Sequence, residues 1–284
     1  MKPIRLVCGT RSTRQQFSTE TALGRSLKLY NHNAQQAQLH LFDSNSRGLS
    51  TIYNEAIRYA EQQPAILVFI HDDIWLQDFF WLERIHEALG RFDVVGLAGN
   101  TRRVPRQPAW AFVTADFKWD ERQFLSGTVG HGKGFPCENV SSFGPAGQEC
   151  KLLDGLMLVA DSAKLVQTGL RFDDQFKFHF YDMDFCRQAE LKGLRSRRPS
   201  GLRKTKHSTN SLAHRTTWLR SDLFAEVWGV VIHSSIGNEA DELGKAWAGF
   251  AARSDRRRDA DLRYGAHAHP ARRKHDQSVR GRLR

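Results

Sequence analysis

The chain has 284 residues, 40% of them hydrophobic, enough to bury a sizeable core in one large domain or a domain with an appendage. Its formal charge is +11, but the excess is local: residues 1–191 hold 21 Lys and Arg against 22 Asp and Glu, and residues 192–284 hold 21 against 9. A basic core is thereby excluded for the first two-thirds, and the apolar runs are strand-length, so no membrane-crossing helix is expected.

The first hundred residues alternate strand and helix patterns. Residues 3–10, PIRLVCGT, read as a strand and 12–30 as a helix. AQLHLFDSN (37–45) is a second strand, and GLSTIYNEAIRYAEQ (48–62) a helix with Leu49, Ile52, Tyr53, Ala56 and Ile57 on one face. AILVFIHDD (65–73) is a third strand, LQDFFWLERIHEALGRF (76–92) a third helix and DVVGLAGN (93–100) a fourth strand. This alternation predicts βαβ units and a parallel sheet covered on both faces. Residues 101–150, with Trp110 and Trp119 among frequent Gly and Pro, read as irregular strands and loops over that sheet. A strand over 151–162, a short helix over 162–169 and a helix opening near YDMDF follow. After Gly193 the periodicity fails: 195–222 reads as a basic loop or disordered insert, 223–251 as a brief return to structure, and 252–284 as a basic disordered tail.

Nothing at the N-terminus reads as a signal peptide, because the apolar stretch before Arg11 and Arg14 is too short. Cys8, Cys137, Cys150 and Cys186 form no CxxC and no zinc-ligand spacing, which suits a reducing cytosol. Cys8 and Cys186 are expected to be small core residues.

In open α/β sheets, ligands bind outside the carboxyl ends of the strands. The expected ends are Thr10, Asp43-Ser44-Asn45, His71-Asp72-Asp73 and Asn100. No GxGxxG follows the first strand and no GxxxxGK[ST] occurs, so a dinucleotide fold or a P-loop would lack its phosphate cradle. A divalent cation held by carboxylates can supply the missing positive charge to a diphosphate. Taken alone, Asp72 and Asp73 read more readily as caps of the next turn. Asp182 and Asp184 likewise read as first-turn acids favoured by the helix dipole.

Five segments shift that balance by their order: FDSNSRGLSTIYNEAI (42–57), VFIHDDIWL (68–76), LLDGLMLVA (152–160), FHFYDMDFCRQAELKGL (178–194) and VVIHSSIGN (230–238). The series resembles the GT-A glycosyltransferases, in particular a bacterial family-2-like group with an HDD variant of the DxD motif. That resemblance implies a Rossmann-like α/β fold over 1–194, with a mostly parallel central sheet flanked by helices and an irregular basic C-terminal extension. The nucleotide-sugar half would span about 1–100 and the acceptor half about 101–194. It further implies an inverting transfer of a sugar from a nucleoside-diphosphate donor to a glycan, lipid-linked or protein acceptor, with Mn²⁺ or Mg²⁺ as cofactor. Asp182 would be the general base. Thr10, Asp43, Asn54 and Asp72 would bind the donor nucleotide, and Asp154, His179 and Asp184 the sugar or acceptor. Asp73, His71 and His233 would hold the metal.

The chain departs from the family in two places. Tyr181 stands where the family has Glu, and almost forty residues rich in Arg, Lys and Ser separate Gly193 from His233. The second departure is either an insertion or a disrupted C-terminus. Two alternatives therefore stay open: a degenerate GT-A-like domain that binds a nucleotide or glycan without turnover, and a nucleic-acid binder acting through the basic tail. The tail lacks interleaved aromatic residues, so nucleic acid is not the expected partner. Its charge suits contact with an anionic membrane surface, in a cytoplasmic protein peripheral to the inner face.

Overall fold

The computed structural model describes residues 2–30, 36–132 and 136–194. His233 and the segments 195–222, 223–251 and 252–284 lie outside the described residues.

Strand β1 (Ile4–Gly9) is buried along almost its whole length. The helix expected over 12–30 divides into α1 (Arg14–Glu20) and α2 (Ala22–Leu29). Thr21 is the cause: its backbone is extended, and its side-chain oxygen accepts from the Gly24 N–H to cap the second helix. Thr13 caps the first, with Gln16 reaching back to the Thr13 N–H in a capping box. Next come β2 (Ala37–Phe42), α3 (Leu49–Gln62), β3 (Ile66–Ile70) and α4 (Trp81–Leu89). Helix α4 begins later than its apolar pattern because Asp78 Oδ1 accepts from the Phe80 N–H and holds a turn ahead of it.

The strand expected over 93–100 also divides, into β4 (Val94–Gly96) and β5 (Ala98–Asn100), which belong to different sheets. Glycine permits this crossover. Gly127 packs on Leu97 with a φ of +100°, and a Cβ there would lie 2.1 Å from the Leu97 carbonyl oxygen. Residues 101–150, expected to be irregular, contain β6 (Leu125–His131) and β7 (Asn139–Gly144). The strand expected over 151–162 divides into β8 (Leu152–Leu153) and β9 (Met157–Asp161), followed by α5 (Ser162–Thr168) and α6 (Tyr181–Leu191).

The fold is mixed α/β. A five-stranded central sheet runs in the order β2-β1-β3-β9-β4, with β1 parallel to β2 and β3, and β9 antiparallel to both β3 and β4. Four strands therefore share one direction and β9 opposes them. A second sheet, β7-β6-β5-β8, is antiparallel throughout. Alternate residues of the central strands face opposite layers. On one face Leu67, Phe69, Leu158 and Ala160 join Ile52, Tyr53 and Ile57 of α3, Leu165 of α5 and Phe185 and Ala189 of α6. Each large side chain buried there is worth about 1.5–3 kcal/mol, and this layer seats the start of α6 over the sheet. Cys8 and Cys186 are buried, as their apolar surroundings suggested.

Asn100 is a correction to the expected ligand edge. It ends β5 in the second sheet and is fully buried. Its Nδ2 donates to the Trp110 carbonyl (3.0 Å) and to Asp120 Oδ2 (2.8 Å), with Arg102 closing on the same carboxylate. It secures the 101–120 excursion.

Candidate functional site

Parallel pairing puts the ends of β1, β2 and β3 on one edge of the central sheet, where Thr10, Asp43 and His71 follow them. Strand β9 runs the other way, so its beginning lies at that same edge. Met157 pairs with Ile70, and the His71 N–H donates to the Leu156 carbonyl at 3.1 Å. Asp154 and Gly155 thus arrive at the edge ahead of their strand, while the histidine and aspartates arrive behind theirs.

Thr10 is buried, and its hydroxyl donates to Asp72 Oδ2 at 2.5 Å while accepting from the Ser12 N–H at 3.1 Å. The Asp72 carbonyl accepts from the Leu23 N–H at 3.0 Å, so this residue ties the β1 loop to α2. Asp43 lies near the surface with the Arg14 guanidinium at 3.5 Å. Asn54 serves the packing of α3. Expected to line the nucleotide pocket, it is buried in α3 with Nδ2 donating to the Phe172 carbonyl (2.8 Å) and Oδ1 accepting from the Phe172 N–H (2.9 Å). Its amide braces α3 against the segment that leads into α6.

At the start of α6, Phe180 adopts the left-handed region with φ +65°, a conformation that costs a non-glycine residue about 1–3 kcal/mol. The turn it makes delivers Tyr181 and Asp182 to the sheet edge. The Tyr181 hydroxyl meets His71 Nε2 at 2.7 Å and donates to the Gly155 carbonyl at 2.8 Å. Asp182 Oδ2 accepts from the Gly155 N–H (3.0 Å) and Oδ1 from the Met183 N–H (2.8 Å). Asp154 Oδ1 accepts from the Leu156 N–H at 2.9 Å, and its carboxylate also takes the indole N–H of Trp110. His71, Asp73, Asp154 and Asp182 are close enough for their charges to interact through Asp154.

Asp184 follows Asp182 on α6. Two residues further along α6 is a rotation of roughly 200°, and its Oδ1 accepts from Gln188 Nε2 at 3.4 Å on another side of the helix. His179 is half-buried with its ring edge-on to Phe178 at 5.1 Å.

The electrostatics separate the carboxylates by their surroundings. Burial first, and then the negative charge of Asp154, raise Asp182 to about 7 against the opposing N–H groups of Met183 and Gly155. Burial also raises Asp154, against the pull of the Leu156 N–H, the His71 ring and the Trp110 indole. Tyr181, enclosed by the core, is raised well above the ordinary phenol range and stays neutral.

Two side chains that follow β3 could serve as ligands to a divalent cation. Asp73 offers a carboxylate and His71 an imidazole nitrogen. Among the described residues no group of three or more His, Cys, Asp or Glu side chains is gathered tightly enough to hold a metal ion alone. Magnesium-type cations are commonly bound by one or two carboxylates with substrate phosphates completing the shell. Of the two, Asp73 supplies such a carboxylate.

Sequence reading did not assign roles to Gly155 or the Trp110 indole, and it noted Tyr181 only as a departure. Gly155 had one signal, an Asp-Gly step interrupting an apolar strand. Trp110 had none, because it reaches Asp154 from an irregular segment.

No family model matches this chain, and no curated protein matches it. Solved structures similar to it include three of TarS from S. aureus. One of residues 1–349 is 14% identical with a TM-score of 0.35, covering 67% of this chain and 56% of that one. The same piece in complex with UDP is 14% identical with a TM-score of 0.32, covering 67% and 55%. A longer TarS structure is 13% identical with a TM-score of 0.32, covering 67% and 34%. The match thus spans little more than half of the first two and about a third of the last. No helix among the described residues is long and apolar enough to cross a membrane.

Proposed function

We propose that this chain is a GT-A-type glycosyltransferase that moves a sugar from a nucleoside-diphosphate donor to a hydroxyl acceptor with inversion at the anomeric carbon. The observation that carries the reading is the meeting of Asp182, raised to about 7, with Asp154, His71 and Asp73 at the carboxyl-end edge of the sheet. A general base works best when its pKa lies near the operating pH, and a buried carboxylate at about 7 meets that requirement. The acceptor oxygen bonds to the anomeric carbon as the bond from that carbon to the diphosphate oxygen breaks, and the acceptor's proton passes to Asp182. One-step displacement inverts the centre, as with carboxylates that act on the face opposite the leaving group. Thr10, Asp72 and Asp43 form the donor side of the edge, and Asp154 with His179 the sugar and acceptor side. When bound, Mn²⁺ or Mg²⁺ on Asp73 and His71, with His233 as an expected third ligand, supplies Lewis-acid stabilisation to the departing diphosphate.

One observation favours a second reading, binding without turnover. Both Asp182 oxygens accept backbone N–H groups, which is also how a purely structural carboxylate is held. A screen of UDP-, GDP- and dTDP-sugars for hydrolysis and transfer, with and without Mn²⁺, separates the two. Asp182→Asn is expected to lower turnover on the order of 10²–10⁴-fold with donor affinity nearly unchanged. Equal loss of affinity and turnover would make Asp182 structural. Nucleotide binding with no turnover of any donor by the natural sequence would favour the binding reading.

A further inference from the structure

The hydroxyl of Tyr181 lies beside the Gly155 carbonyl and His71, with the Tyr53 hydroxyl also near it, and the first two fix the direction of its proton. The Gly155 carbonyl can only accept, so Oη donates to it at 2.8 Å. A phenol carries one proton. At His71, 2.7 Å away, Oη must therefore accept, and the imidazole Nε2 must carry a hydrogen. A neutral ring protonated on Nε2 keeps its lone pair on Nδ1. Among the described residues Nδ1 makes no hydrogen bond. The ring is also held from its face, stacked on Phe178 at 5.9 Å with 27° between planes.

We infer that Tyr181 is a positioning residue: it holds His71 in the Nε2–H tautomer and thereby presents Nδ1 as the ring atom that meets the ligand. The tautomer stands on the protein's own hydrogen bonds. The identity of the ligand, a divalent cation carried with a nucleoside diphosphate, rests on the proposed function.

The same arrangement ties the histidine to the candidate base. The Gly155 carbonyl takes the Tyr181 proton, and the N–H of the same residue donates to Asp182 Oδ2 at 3.0 Å. A Cβ at position 155 would lie 2.4 Å from Oη, so only glycine lets the phenol reach that carbonyl. Tyr181 is itself fixed by the rings of Tyr53 at 5.9 Å and Phe172 at 6.0 Å, with no room to swing away from His71.

The test uses the full chain labelled with ¹⁵N-histidine, with His71→Asn to assign the signal. Two-bond proton–nitrogen spectra of the ligand-free protein at pH 8 are expected to show a protonated Nε2 and a lone-pair Nδ1. Adding UDP with Mn²⁺ is expected to broaden the His71 ring signals. In Tyr181→Phe, affinity for Mn²⁺ with UDP is expected to fall about 10–100-fold, the usual consequence of removing the partner behind a ligating histidine. UDP alone should bind as before, while the melting temperature is expected to fall by several degrees because the buried Gly155 carbonyl loses its donor. A protonated Nδ1 in the ligand-free protein overturns the inference. So does an unchanged Mn²⁺–UDP affinity in Tyr181→Phe. If the natural sequence binds no nucleotide at all, the proposed function fails instead, and the ligand-free spectrum still decides the tautomer.

Discussion

At Asp182 the surroundings that raise the carboxyl to about 7 also set two pH dependences of opposite direction. As a base it acts only when ionised, so kcat/KM is expected to rise with pH up to about 7 and level off above it. A pH–rate profile of transfer checks this, and a flat profile between about 5.5 and 8 removes Asp182 from the role. For stability the sign is reversed. The folded state holds this proton more tightly than the unfolded chain, whose Asp titrates near about 3.9. Between that value and about 7 the folded state carries more protons, so the group's contribution to stability declines as pH rises through this window and is constant above it. Asp182→Asn should remove that part of the slope, which urea denaturation of both proteins at a series of pH values measures. The acid itself was legible in the sequence, as an aspartate opening an amphipathic helix in YDMDF. Its raised pKa was not, because burial against Asp154 and the pairing with Gly155 are made across 27 residues of chain.

Among the elements, α3 shows how a polar residue can hold packing together. Asn54 meets both backbone groups of Phe172, where no strand is available to satisfy them. Asn54→Leu keeps similar bulk but leaves a buried N–H and a buried carbonyl unsatisfied, at about 1–3 kcal/mol each. A fall in melting temperature on the order of 10 °C is expected for a domain of this size. A fall of only a degree or two would mean that water replaces the amide. Periodicity exposed the apolar face of α3 correctly, yet it could not reveal the polar brace on the same helix. The divided elements follow the same logic. Thr21 is a cap inside an apparently continuous helix, while Leu97 and Gly155 interrupt apparently continuous strands, and each break depends on a contact made elsewhere in the fold. The β6–β7 hairpin was hidden for another reason. Six of its residues in LSGTVGH and NVSSFG are exposed or half-exposed at β7, so no apolar alternation marks it.

Over the whole molecule, charge and core are separated along the chain. Residues 192–284 carry 21 basic against 9 acidic side chains, and few of the last 33 residues are large and apolar. Removing residues 252–284 is expected to leave the melting temperature of the remainder within about 2 °C, since little apolar surface is lost. A larger drop in differential scanning calorimetry would assign that segment a place in the core. The reversed strand β9 has a consequence for synthesis on the ribosome. It lies between β3 and β4, so β3 lacks one neighbour, and β4 lacks its central-sheet partner, until Met157–Asp161 has emerged. The 86 residues 71–156 separate the end of β3 from the start of β9, which at about 5–20 residues per second is a delay on the order of 4–17 s. Throughout that interval the fully apolar edge of Ile66–Ile70 is open to any other nascent chain. Chaperone occupancy should therefore be greatest on chains stalled between residues 71 and 156 and fall once β9 clears the exit tunnel.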